Sequence, residues 1–338
     1  MRLLRGVLVG LLAVVWAGWV VWGALALWID GPASRPLAGL LAGGLVVVSL
    51  LLVLRRGSRW LGLLASSILV ALVAAWWLRI PASNDRNWVP EVSQLARIDV
   101  NGDVLTVHNL RNFDYRTETD FTPHWEERTY DLSHLRGFDM FLSFWGPTQI
   151  AHTIASWDFG EGQHLAISIE TRREQGEVYS AGLGFFRQFE VYYVVADERD
   201  LVGLRTNHRG EQVFLYRLAA GPVRARALLM AYVDEINHLV QHPEWYNALT
   251  QNCTTSIEIL VERALGPLGG RFPWDWRLIA NGHLGELLYE RGSVNTTMPY
   301  EELRQASDIT ARGKAADGAA DFSERIRDGL PPRPPPRN

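Results

Sequence analysis

The chain has 338 residues, a net charge of -4 and 48% hydrophobic residues. That balance excludes a basic nucleic-acid binder and an acidic tail protein. A single cysteine excludes an internal disulfide framework and a cysteine-rich structural zinc site.

Gly6 to Trp28 is free of charge over about 23 residues, long enough to cross a bilayer and too long for the core of a cleaved signal peptide. Leu37 to Leu54 and Leu61 to Leu78 are two more uncharged runs of about 18 residues each. Arg2 and Arg5 precede the first run, and Arg55, Arg56 and Arg59 separate the second from the third, whereas Ile29 to Pro36 carries only Asp30 and Arg35. The positive-inside rule then puts the N-terminus in the cytoplasm and everything beyond Arg79 on the outer face, in a bacterium the periplasm. Residues 1–79 are thus predicted to be a three-span anchor in a bacterial inner membrane.

Beyond Pro81 the composition turns globular. Arg97 to Val107 reads as a hairpin, because Ile98 and Val100 alternate before Asn101-Gly102, the strongest short turn signal. His108 to Asp131, with Asn112, Phe113, Asp114, Tyr115 and Arg116, lacks apolar periodicity and reads as an ordered loop or an excursion facing substrate. Six segments then read as strands: Phe138 to Phe144, Gln149 to Asp158, His164 to Arg172, Phe186 to Ala196, Asp200 to Arg205 and Gln212 to Leu218. Val223 to Val240 has Leu228, Leu229, Tyr232, Val233, Ile236 and Leu239 on one helical face. A second helix is predicted from Ser256, ended by Gly266. Residues 80–265 form an α+β domain, a mostly antiparallel sheet packed with helices. The stretch 266–338 reads as an extension with a disordered Pro-rich tail.

Cys253 falls at or just before the start of that second helix, where unpaired N–H groups and the helix dipole favour a thiolate. A small buried hydrophobe is the alternative. A cysteine nucleophile needs a base and an orienting group. Of nine histidines, His152 lies in an apolar strand whose partner begins near His164. A five-residue loop pairs Asp158 with His164 and sets His152 opposite Glu170 on one face. A register shift of two would put Ser168 there instead. His164 is the rival orienter; Glu170 could equally pair with Arg172 or Arg173, and His152 could be a core histidine. His238 and His242 have metal-ligand spacing without a third ligand nearby, so no metal and no cofactor is expected. Glu198-Arg199-Asp200 and Arg172-Arg173 read as surface charges first and substrate contacts second.

The strings Asn109-Leu110-Arg111-Asn112-Phe113-Asp114-Tyr115-Arg116, Ala151-His152-Thr153-Ile154, Ser168-Ile169-Glu170-Thr171-Arg172-Arg173-Glu174, Trp245-Tyr246-Asn247 and Asn252-Cys253-Thr254-Thr255 occur in that order over roughly residues 80 to 265. Together they resemble the Lnb N-terminal periplasmic domain family. The resemblance implies a distantly permuted papain-like fold in which histidine precedes cysteine and an Asn-Cys pair opens the nucleophile helix. It further implies lipoprotein N-acyltransferase chemistry, with Cys253 as acyl carrier, His152 as general base, and Glu170 or His164 as orienter. Asn112, Asp114, Tyr115, Arg116, Arg172 and Asn252 are candidates for substrate binding. A phospholipid or lipoprotein partner, or a further membrane protein, would follow. A cysteine hydrolase, or a tethered binding module without activity, are the alternatives.

Overall fold

The computed structural model describes residues 2–55, 57–180, 182–248, 250, 253–266 and 273–336, and of Arg2, Leu3, Arg5, Cys253 and Thr254 only the backbone. The described chain forms two compact units, residues 1–83 with 179–189, and residues 84–178 with 190–338.

In the first unit, helices α1 (Arg2–Ile29), α2 (Arg35–Leu54) and α3 (Arg59–Trp77) are each long and apolar enough to cross a membrane. Leu and Val side chains point outward along all three, as lipid-facing surfaces require. Small residues allow close approach: a Cβ on Gly62 would lie 2.1 Å from the Leu52 carbonyl oxygen. Asp30, just past α1, accepts from Trp77 Nε1 at 2.6 Å and from Gln188 Nε2 at 2.8 Å. The Arg187 backbone N–H donates to the same carboxylate at 3.2 Å, and its guanidinium lies over the Trp77 ring. Those contacts fasten the excursion 179–189 to the helix ends.

The second unit is organised by an eight-stranded sheet. Its strands are β1 (Arg97–Asn101), β2 (Val104–Arg111), β5 (Trp125–Asp131), β6 (Gly137–Phe144), β7 (His152–Gly160), β8 (Gln163–Arg172), β9 (Glu190–Ala196) and β10 (Gln212–Arg217). Their order is β1-β2-β9-β8-β7-β6-β10, with β5 also pairing β2; all contacts are antiparallel except β2 with β9. Asn101-Gly102 turns β1 into β2 as predicted, with Gly102 at φ +64°. The loop expected over 108–131 is instead the end of β2, a small hairpin of β3 (Asp114–Tyr115) and β4 (Phe121–Thr122), and β5. Phe113 stacks on Phe121 and meets Trp125 edge-on, so aromatic packing orders a segment with no apolar period.

Alternation assigns the two sheet faces. Ala155 and Trp157 of β7, and Ala151 just before it, join the core under helices α5 (Pro222–Gln241), α6 (Cys253–Leu265) and α7 (Leu284–Glu290). Ile154 joins the opposite core, under α4 (Glu198–Gly203), α9 (Thr310–Ala315) and α10 (Phe322–Arg325). The segment expected as a strand over Asp200 to Arg205 is therefore a helix. Asp197 caps it by accepting from the Arg199 N–H, and a π-turn over Leu204–His208 extends it. Glu198 and Asp200, expected on the surface, are both 0% exposed. Asp200 binds the Arg111 guanidinium through both oxygens and accepts from the Phe113 N–H, and Glu198 binds Arg327. Charge runs look like surface only until a partner from distant sequence arrives.

The described stretch 273–336 does not stand apart. α7, α8 (Tyr300–Ser307) and α10 place Leu287, Leu303 and Phe322 in the two cores, and Ile309, just before α9, joins them. The Pro-rich tail runs along the sheet: Arg333 donates to the Phe138 carbonyl at 2.6 Å and pairs with Asp139 and Asp158 at 2.9 and 3.1 Å.

Candidate active site

The site grows from the β7–β8 hairpin. Gly160, Glu161 and Gly162 all have positive φ, so the strands reverse through a tight turn, with Gly160 opposite Gln163 and a bulge beside it. The bulge preserves the register predicted from the sequence: Asp158 faces His164 and Ile154 faces Ser168. Continued by two residues, it sets His152 opposite Glu170. On the other side His152 pairs with Ser143 of β6.

His152 Nε2 lies 2.6 Å from Ser168 Oγ and 3.0 Å from Glu170 Oε1. The Ser168 hydroxyl donates to the same carboxylate oxygen at 2.8 Å. Arg205, on the π-turn after α4, completes the arrangement by donating Nη2 to Glu170 at 2.7 Å and Nη1 to Glu211 at 3.0 Å. Ser143 donates to Glu211 as well. The chain of contacts thus runs Ser143, Glu211, Arg205, Glu170, Ser168, His152, buried except at Glu170, with both carboxylates matched to a donor. Burial alone would raise the Glu170 carboxyl; the charges of His152 and Arg205 outweigh it and hold the group well below its usual range. An ionised carboxylate against Nε2 holds the ring proton there and fixes the imidazole tautomer.

The entry to β7 is clamped. Asn281 accepts from the Ala151 N–H at 2.8 Å and donates to the Ala151 carbonyl at 2.6 Å. Gly282 donates its N–H to the Gln149 carbonyl at 3.0 Å, and a Cβ there would lie 2.0 Å from the Thr148 carbonyl oxygen. Only glycine allows this approach, and it sets where the residue before His152 sits.

Helix α6 begins at Cys253, as its apolar spacing predicts. Asn252 and the side chain of Cys253 lie outside the described residues. α6 packs on β7 and β8 through Ile257, Leu260 and Val261, on the face that also carries Thr153 and Ala155.

Other expected residues lie elsewhere. His164 is six residues from His152's level on the hairpin, about 20 Å along the strand, with Nε2 3.9 Å from Asp158. Glu170, not His164, is therefore the group at His152. Arg172, a candidate for substrate, is 2% exposed and donates to the carbonyls of Val92 and Ser93 and to Asn84 Oδ1, with Trp88 stacked on it. Its donors hold the start of the domain together. Asn112 and Asp114 both accept from Arg199. Tyr115 packs on Phe113 and Phe121, and exposed Arg116 pairs with Asp120. These four form one surface hairpin held to α4. Ser168, Arg205, Glu211, Ser143 and Asn281 were not singled out from the sequence. Ser168 was visible as the register-shifted partner of His152; the others come from segments with no motif.

The family model of the Lnb N-terminal periplasmic domain matches residues 121–282. The match spans His152, Glu170, Arg205, Cys253 and Asn281 and begins after the Asn112–Arg116 string. Neither a curated protein nor a solved structure matches the chain.

Proposed function

Residues 121–282 being a Lnb N-terminal periplasmic domain, we propose that the chain is a membrane-tethered thiol acyltransferase working at the outer face of a bacterial inner membrane. The observation that carries this reading is the contact of His152 with Glu170, itself held ionised by His152 and Arg205, at the first residue of a strand whose other face receives the Cys253 helix. Nε2 is turned to Ser168 and Glu170, so the reading assigns Nδ1 to the thiol, reached around the start of β7, since His152 and α6 lie on opposite faces of the sheet.

In the first half-reaction Nδ1 takes the Cys253 proton and the thiolate attacks the ester carbonyl of a phospholipid. The N–H groups at the start of α6 stabilise the oxyanion. The C–O bond breaks, the lysophospholipid oxygen takes the proton from the imidazolium, and an acyl-cysteine thioester remains. In the second half-reaction an amine or hydroxyl acceptor, such as a lipoprotein N-terminus, attacks the thioester. The C–S bond breaks, and the acceptor's proton returns through His152 to sulfur.

The test is intact-mass analysis of the full-length protein incubated with phospholipid, in wild type, Cys253→Ser and His152→Ala. An acyl-sized adduct on wild type alone, removed by hydroxylamine, is expected. Fast His152-dependent labelling of Cys253 by a thiol probe without an adduct would make the protein a hydrolase. Slow labelling regardless of His152 would leave a tethered binding module.

A further inference from the structure

An apolar cavity of about 390 Å³ lies between the sheet and helices α5, α6 and α7. Most of its wall is hydrocarbon, from Met140 of the sheet, Leu228 of α5, Ile257, Val261 and Leu265 of α6 and Leu288 of α7, while Arg224, Glu258, Glu262, Arg291 and Ser293 also line it. The volume sits at the low end of small-molecule sites, about 300–1,000 Å³, with room for one slender chain rather than two.

Two placements give the cavity a direction. Ile257, Val261 and Leu265 follow one another at four-residue steps, and the residue that heads this row is Cys253, the first residue of α6. At the sheet, the wall includes Thr153, which follows His152 in β7 and is 2% exposed. Its hydroxyl has no hydrogen-bond partner among the described residues. A buried hydroxyl without a partner costs free energy unless a ligand supplies one. In a mostly apolar cavity, an acceptor for the unpartnered Thr153 hydroxyl with apolar atoms beyond it describes an acyl group: a carbonyl followed by methylenes.

We propose that this cavity holds the single acyl chain undergoing transfer, with its carbonyl at Thr153 and the head of α6 and its methyl end toward Leu265 and Leu288. The proposal deepens the acyltransferase reading and rests on it for the identity of the chain. It predicts selectivity by length, because each methylene entering an apolar site strengthens binding by about fourfold until the cavity is full. Thr153 is then a positioning residue.

The experiment uses full-length protein in amphipol and a diazirine analogue of palmitate, photolysed and mapped by peptide mass spectrometry. Unlabelled saturated acids of increasing length compete with it. Crosslinks to the α6 and α7 peptides are expected, with competition improving about fourfold per methylene and then levelling off. Val261→Trp and Leu288→Trp, which fill the cavity from two sides, should each cut labelling at least tenfold. Thr153→Val should weaken competition by a methyl ester but not by the matching alkane. Labelling confined to residues 6–77, or labelling that survives both tryptophan variants in folded protein, overturns the proposal. Cavity labelling without any thioester on wild type would keep the chain site and discard the transferase. A thioester whose yield ignores chain length and both tryptophans would do the reverse.

Discussion

Glu170 illustrates how a few residues set the chemistry. Its Oε1 receives donors from Arg205 and Ser168 and lies 3.0 Å from His152 Nε2. Glu170→Gln keeps the shape and removes the charge, so it should lower the rate of thiol labelling at Cys253 and move its pH midpoint while the fold survives. Arg205→Leu is expected to be worse for stability, by about 3–5 kcal/mol, because it strands Glu170 and Glu211 together; the urea midpoint checks it. A pH dependence follows from the neighbouring Glu198. Burial raises this carboxyl, but Arg327 outweighs burial and holds it at about 2 against an ordinary 4.5. A depressed folded value means stability that is complete above about pH 4.5 and is lost as pH falls toward 2, worth roughly 3 kcal/mol in all. Urea midpoints from pH 6 to pH 3 should fall less steeply in Glu198→Gln than in wild type. The His152–Glu170 pairing was legible in the sequence because hairpin register is simple arithmetic once the turn is found. Arg205 was not, because nothing in Asp200 to Arg205 announces a helix that brings a guanidinium back over the sheet.

Among the elements, the β7 lead-in is the most constrained. Gly282 allows 281–282 to lie on 149–151, and Gly282→Ala should cost about 1–3 kcal/mol, since the obstructing atom is a backbone oxygen that cannot swing away. If the clamp also positions His152, the same variant loses activity well below its melting temperature; activity unchanged at that temperature would reduce the clamp to scaffolding. Asn101-Gly102 shows the opposite case, a turn whose chemistry alone fixes it. The segment 108–131 escaped sequence reading because its order comes from aromatic stacking between residues several positions apart, a contact with no period. Helix α4 escaped for a related reason: its acidic residues look solvated until Arg111 and Arg327 meet them from distant parts of the chain.

For the whole molecule, the three apolar spans were plain from length and charge alone, since lipid leaves little choice of structure. The proposed orientation is checked by single-cysteine labelling in the Cys253→Ser background: a cysteine at Ser34 should react with an impermeant probe in intact spheroplasts, and one at Ser58 only after lysis. The C-terminal region was misjudged because proline-rich composition says nothing about a lone arginine. Removing residues 331–338 takes Arg333 from Asp139 and Asp158, and a loss of about 3 kcal/mol is expected by thermal melt.

The excursion 179–189 has a practical bearing. The polypeptide leaves the helical unit after Ser83, revisits it at Tyr179, and departs again after Phe189. A single scission near Asn84 therefore does not free the remainder as a soluble fragment; residues 179–189 stay knotted to Asp30 and Trp77. A recombinant piece begun at Asn84 would carry a loop whose Arg187 and Gln188 have lost Asp30 and Trp77, with exposed Tyr179 and Phe185 beside them, and should aggregate unless that loop is replaced by a short polar bridge.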